Sequence, residues 1–364
     1  GMSEVTKEQI EEALKLVVDP YTEQDPVSSK MIKKIDINDG KVDVNIVAGY
    51  PNKGFADEFA ASLKEKVMAV DGVSDANINV TFKIASHGVQ KGVTMLDNVK
   101  NIIAVASGKG GVGKSTVSVN LALALSAEGA KVGILDADIY GPSQPRMLGV
   151  TAQPESKDGS SLEPMTSYNL QAMSIGFLID EETPMIWRGP MVTQALEQLL
   201  KDTRWNDLDY LIIDLPPGTG DTQLTLAQKV PVSGSVIVTT PQDIALLDAR
   251  KALKMFEKVE IPVLGVVENM STHICSNCGH EEHIFGEGGG LSMAEQYDVD
   301  YLGAIPLDMA IRKDVDQGKP TVVADPDGRI AMNYREIARR TAAKLSMKKK
   351  DFTAAFPNIV IDNT

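Results

Sequence analysis

GKGGVGKST, at residues 108–116, decides the fold. It follows directly on an apolar run at 102–106 and leads straight into an apolar helical stretch at 117–125. The glycines permit positive φ, so backbone N–H groups turn inward on an anion at the positive end of the following helix. In the Gly-x4-Gly-Lys-Ser pattern, Lys114 neutralises the β and γ phosphates, Ser115 ligates Mg2+, and Thr116 adds an α-phosphate contact. Gly108, Gly110, Gly111, Val112 and Gly113 supply the backbone of the cradle. A strand before, a helix after and a complete motif predict a site for ATP with Mg2+ rather than a merely flexible turn. Lys109, a second lysine in the loop, reads either as a solvated charge or as a side chain that reaches the nucleotide of a second subunit, as an arginine finger does.

Working outward, further Val/Ile/Leu runs at 132–135, 210–213, 235–239, 263–267 and 301–305 are separated by amphipathic helical stretches. Continuous apolar strands of this kind predict an α/β fold whose mostly parallel sheet is covered by helices on both faces. Asp214 closes the run Leu211-Ile212-Ile213, at the carboxyl edge where open α/β sheets bind ligands, and suits a water-mediated Mg2+ contact. Asp136 and Asp138 follow another strand. Asp138 is the candidate for positioning the attacking water, and Asp136 for Mg2+ or for pairing with a lysine. Both read alternatively as helix caps. The segment LPPGTGD at 215–221, stiffened by two prolines and hinged by two glycines, suits a loop that senses the γ-phosphate.

Residues 3–85 read as a separate small α+β unit: a helix at 8–18, strands at 31–37 and 42–47 around the turn Asn38-Asp39-Gly40, a helix at 55–70, and a strand at 76–84. Residues 86–100 lose both periodicities and read as a linker, with His87 a solvated residue in it. The P-loop domain then spans 101–347, with 151–168 loop-like, and a tail follows at 348–364, where Lys348, Lys349 and Lys350 read as a solvated helix end.

Lys plus Arg number 36 against 50 Asp plus Glu, a net charge of −14 with no dense basic block, so nucleic acid is excluded as a partner. No apolar run approaches the ~20 residues that cross a bilayer, which predicts no membrane partner. The two cysteines, Cys275 and Cys278, close too small a loop for a stabilising disulfide. A reducing, cytoplasmic location fits them better. The pair is flanked by His273, His280 and His283. A zinc site within one chain and a cluster shared by two chains both satisfy thiolate coordination. An iron–sulfur cube takes four thiolates and one chain brings two, so the cluster reading carries a homodimer with it.

Taken together, GKGGVGKST (108–116), LDADIYGPS (135–143), WRGP (187–190), DYLIIDLPPGTGD (209–221), ENMS (268–271), CSNCGHEEHIFGEGGG (275–290) and IPLD (305–308) resemble the Mrp/ApbC family of iron–sulfur cluster carrier ATPases, within the deviant Walker-A class of P-loop NTPases. The resemblance implies a homodimer with ATP at its interface and Lys109 acting in trans. It implies a [4Fe-4S] cluster on Cys275, Cys278 and their symmetry mates, passed from a donor scaffold to recipient apoproteins. It also places Asn269 on the adenine and Pro306 to Asp308 near the base, although Asn269 alone reads equally as a turn residue. Residues 3–85 resemble the small domain of iron–sulfur assembly factors but lack the cysteine that relatives of that domain often carry, which implies partner docking there rather than cluster ligation. Ser276 stands where many members of the carrier family have proline. Two rival functions remain: a positioning or partition-type ATPase, and a zinc-bridged ATPase dimer with another client.

Overall fold

The computed structural model describes residues 4–139, 144–150, 153–178, 189–275, 277–284, 286–308 and 319–348. Trp187, Arg188, Ser276, Lys349, Lys350 and the rest of the expected tail lie outside the described residues.

The N-terminal unit runs α1 (Lys7–Leu14), β1 (Ile32–Asn38), β2 (Lys41–Ala48), α2 (Ala56–Met68), β3 (Asp75–Phe82). Thr6 and Gln9 cap α1 reciprocally, each side chain bonding the other's backbone N–H. The helix stops at Leu14, earlier than its apolar spacing predicts. The chain then turns inward at Asp19, a buried carboxylate that accepts from the Tyr21 N–H at 2.8 Å and the Tyr50 hydroxyl at 2.5 Å. Asp39 and Gly40 both have positive φ, 51° and 78°, which makes the tight hairpin between antiparallel β1 and β2. β3 pairs with β2 in parallel, and α2 buries Phe59, Leu63 and Val67.

The second unit continues with β4 (Val99–Ala106), α3 (Lys114–Ala127), β5 (Val132–Asp136), α4 (Gln144–Met147), β6 (Met165–Ser167), β7 (Leu170–Ser174), α5 (Gly189–Asp202), β8 (Leu208–Asp214), α6 (Asp221–Lys229), β9 (Gly234–Thr239), α7 (Asp243–Lys258), β10 (Val263–Ile274), β11 (Glu281–Glu282), α8 (Gly289–Gln296) and β12 (Tyr301–Leu307), and a helix Arg329–Ser346 follows near the C-terminus. Among the described residues, nine strands form one sheet in the order β11-β10-β9-β4-β8-β5-β7-β6, with β12 paired to β10. All neighbours are parallel except β6 on β7 and β11 on β10. Every residue of β5, β8 and β9 is buried, as a sheet covered on both faces requires.

Three expectations need correction. The stretch 151–168 is not all loop, because Tyr168 and Asn169, both at positive φ, close a two-residue hairpin that pairs β6 with β7. His87 is not solvated. It is 2% exposed, and the Asn101 side-chain oxygen accepts from its backbone N–H at 3.0 Å and lies 3.1 Å from its Nδ1. Nearby, the Gln90 side chain bonds the carbonyls of Ala227 and Val230 and the N–H of Val232, so the stretch expected to link two domains is fastened to the second.

The two units share one apolar core, in which Ile10, Leu14 and Leu63 join Leu121, Leu125 and Tyr334. α3 lies inside it, with residues 117–125 buried all round. At its C-terminal end Glu128, fully buried, accepts from the Gly54 N–H at 3.2 Å and from the guanidinium groups of Arg335 and Arg339, and Arg339 also donates to the Tyr21 hydroxyl at 2.6 Å. A Cβ at Gly54 would come within 2.6–2.7 Å of all three charged side chains, so a larger residue there would push this ion cluster out of its present arrangement.

Candidate functional site

The loop between β4 and α3 ends on Gly113, whose φ of 77° is the left-handed conformation that swings the chain into the helix. It walls a cavity of about 220 Å³ lined by Ser107, residues 109–116, Asp138, Met147 and Pro217. Lys109, Asp138 and the 215–221 segment, expected near the phosphates, thus do meet there. The last of these is held by the Gly218 N–H on the Ser107 carbonyl at 2.9 Å and by the Gln223 amide on the Pro217 carbonyl at 2.7 Å.

β5 and β8 are neighbours in parallel register with Asp136 opposite Asp214, so two carboxylates end side by side at the carboxyl edge of the sheet. Both are fully buried. The lysine partner expected for Asp136 goes instead to Asp214, which forms the ion pair with Lys114 and also accepts from Ser118 Oγ at 3.3 Å and Gln144 Nε2 at 2.9 Å. β8 carries Asp214 beside the start of α3, whereas Asp136 is turned to its own loop. It accepts from the Asp138 N–H and the Gln144 N–H, each at 3.0 Å, and from Ser174 Oγ at 3.2 Å. Burial, and then the charge of Asp214, push Asp136 up to about 7. Among the described residues, Lys114 is the cation ion-paired at these two buried carboxylates, an arrangement that a divalent cation would complete.

Gln144 went unanticipated. Its side chain joins Asp214 to the Ser115 carbonyl, at 2.9 Å each, while its backbone holds Asp136, and no local pattern marks it.

The strand expected to end near Glu268 runs on to Ile274, where His273 and Ile274 pair with Glu282 and Glu281 of β11. The cysteine pair therefore sits at the tip of a hairpin rather than in a free loop. The Cys275 N–H donates to the His280 carbonyl at 2.8 Å and the Gly279 N–H to the Cys275 carbonyl at 2.9 Å. Cys275 is half-buried and Cys278 exposed, both as free thiols. Hydrogen bonds from the backbone at Cys278 and Asn277 lower the Cys275 thiol toward thiolate. His280 and His283 lie against Glu282 and Glu287, at 3.3 and 3.1 Å, and among the described residues no three His, Cys, Asp or Glu side chains gather as a metal site within the chain. Asn269 lies at the phosphate loop, its Nδ2 donating to the Val112 carbonyl at 3.0 Å. Pro306 and Asp308 lie at the end of β12, beside β10 rather than in the lining of the phosphate cavity.

A parallel sheet with a glycine loop, a buried lysine and paired strand-end carboxylates defines an ATP-hydrolysing P-loop enzyme. The chain belongs to the family described as NUBPL iron-transfer P-loop NTPase, matched over residues 98–342. Residues 7–80 match the iron-sulfur cluster assembly protein family. The chain is 61% identical over 278 residues to the iron-sulfur cluster carrier protein of Pseudomonas fragi, covering 76% of this chain and 97% of that one. Identity to the Escherichia coli protein of the same name is 50% over 327 residues, 90% of this chain and 89% of that one. Among solved structures, the nucleotide-binding protein of Archaeoglobus fulgidus in complex with ADP superposes with a TM-score of 0.55 at 39% identity, over 64% of this chain and 90% of that one. No helix among the described residues is long and apolar enough to cross a membrane.

Proposed function

We propose that the chain is an ATP-dependent iron–sulfur cluster carrier that works as a homodimer in the cytoplasm. Two hairpins facing each other across a twofold axis bring Cys275 and Cys278 of each subunit to a [4Fe-4S] cargo, received from a donor scaffold and delivered to recipient apoproteins. The observation that carries this reading is the hairpin itself: it holds two thiols with two residues between them at its tip, with His280 and His283 set against Glu282 and Glu287. Half a ligand set presented outward suits a site completed by a second copy.

In the nucleotide pocket, the backbone of 108–113 and Thr116 grip the phosphates, Lys114 bridges the β and γ groups, and Ser115 with Asp214 and Asp136 holds Mg2+ directly or through water. Asp138 orients the attacking water, Lys109 reaches the partner's nucleotide, and Asn269 with Pro306 and Asp308 borders the base. The N-terminal unit, without cysteine, serves to dock protein partners.

Anaerobic incubation with iron and sulfide, followed by absorption spectroscopy and metal analysis, tests the reading. One four-iron cluster per two chains is expected, lost in Cys275→Ala while ATP affinity is kept. Zinc in place of iron, or cluster absorbance retained in the variant, would refute it.

A further inference from the structure

β10 connects the phosphate loop and the cysteine hairpin inside a single subunit. Its first half pairs with β9 from Val263↔Ser235 to Glu268↔Thr239 and with β12 from Val266↔Tyr301 to Asn269↔Ile305, with one-residue irregularities between Val263 and Gly265 and between Val266 and Val267. The next pair on the β12 side is His273↔Leu307, so β10 advances four residues while β12 advances two. The bulge falls on Met270, which has a φ of 53°, a left-handed conformation that an L side chain adopts only when its surroundings impose it.

Contacts on both sides of the bulge impose it. On the near side, Asn269 donates to the Val112 carbonyl, and a Cβ placed on Gly113 would run into the Asn269 amide and lie 3.6 Å from Met270 Cε. On the far side, Thr272 Oγ1 donates to Glu281 Oε1 at 2.7 Å, fastening the two arms of the hairpin three residues before Cys275. The return leg is tied to the same place. Glu268, 4% exposed, accepts from the Gly290 N–H at 2.6 Å, so the cysteine-bearing segment leaves and re-enters the domain beside the dipeptide that touches the phosphate loop.

We infer that Asn269 is a positioning residue that couples occupancy of the phosphate loop to the setting of the cysteine hairpin within one subunit, through the bulge at Met270. This rests on the carrier reading above for its purpose, though not for its test. Phosphate draws the loop N–H groups inward and so moves the peptide that carries the Val112 carbonyl. Asn269 is 8% exposed, and a buried amide that loses its partner is penalised, so the strand end follows the loop rather than letting go. An irregular, unpaired stretch of β10 is where such a displacement is absorbed and passed to the hairpin.

The test measures iodoacetamide modification of Cys275 and Cys278 by mass spectrometry in the metal-free, reduced full-length chain. It is run with and without a non-hydrolysable ATP analogue and Mg2+, at concentrations shown to saturate by equilibrium binding. A Lys109→Ala background removes the proposed contact across the dimer, so that any response arises in cis. Nucleotide is expected to change the rate by about fivefold or more, and Asn269→Asp, which keeps the shape but loses the donor, to reduce this below about twofold. Met270→Gly, which adopts the same φ without restraint, is expected to do likewise while binding nucleotide normally. No response in the background protein with nucleotide bound, or a full response in both variants, overturns the inference. Iron–sulfide uptake by the same preparations keeps the two readings apart: normal uptake with unresponsive thiols removes only the coupling, and responsive thiols without uptake remove only the carrier.

Discussion

The two ends of α3 carry mirror-image clusters of buried charge. At its start one cation, Lys114, faces two carboxylates, Asp214 and Asp136; at its end one carboxylate, Glu128, faces two guanidinium groups, Arg335 and Arg339. Both signs suit the helix dipole, with anions at the N-terminus and cations at the C-terminus. The clusters differ in charge balance rather than in hydrogen bonding, since the oxygens of Asp136 and Asp214 all accept hydrogen bonds as well. Both oxygens of Glu128 are engaged, Oε1 by Gly54 and Arg339 and Oε2 by Arg335, and the result is a joint between domains. Asp136, in contrast, is pushed up to about 7 by burial and by Asp214, which marks a site short of positive charge. A satisfied cluster holds a fold together, and a deficient one is prepared for a ligand.

Substitutions break the comparison in order of size. Glu128→Ala leaves the buried Arg339 and the half-buried Arg335 without their counter-charge, and arginine cannot release its proton, so a loss of about 3–5 kcal/mol is expected. Urea denaturation measures it, and limited proteolysis should show the N-terminal unit released. A loss below about 1 kcal/mol would mean that the joint is no more than a surface ion pair. At the other end, Lys114→Ala should lower ATP hydrolysis by about 10²–10³ in steady-state assays. Its cost in stability should be smaller than that of Glu128→Ala, because Asp214 keeps its hydrogen bonds from Ser118 Oγ and Gln144 Nε2 when the lysine is gone. Equal losses at the two ends would erase the distinction between joint and site.

How far this contrast was legible in the sequence depends on the range of the interactions. Lys114, Asp136 and Asp214 were found because each sits at the end of a patterned element, and the register of β5 with β8 then brings the two carboxylates together. The parallel strands showed as continuous apolar runs for the same local reason. Glu128 was not singled out, since in sequence it is an ordinary acidic residue at a helix end and its partners Arg335 and Arg339 are 207 and 211 residues away. Gln144 is hidden similarly, 70 residues from Asp214. The extension of β10 was missed because Ser271, Thr272 and His273 are polar, and the strand end is fixed by the pairing of His273 and Ile274 with β11 and of His273 with β12 rather than by periodicity. His87 was misread because its burial depends on Asn101, which belongs to the next strand.

The smallest change at neutral pH, and the one that most sharpens the contrast, is expected from Asp136→Asn. A carboxyl whose pKa is raised on folding binds its proton more tightly in the native state than in the unfolded chain, where it titrates near its ordinary value of about 3.9. Between that value and about 7 the native protein therefore holds a proton that the unfolded chain has released, and stability falls as pH rises across this window. The contribution is complete below the lower limit and gone above the upper one. Asn at 136 cannot ionise, so the variant should lose this part of the slope when thermal unfolding of the nucleotide-free protein is followed from pH 4 to 8. Mg2+ with nucleotide should flatten the wild-type slope in the same window by favouring the ionised pair. Glu128 variants should leave the slope in place, and a pH profile that instead followed Glu128 would assign the deficient cluster to the wrong end of the helix.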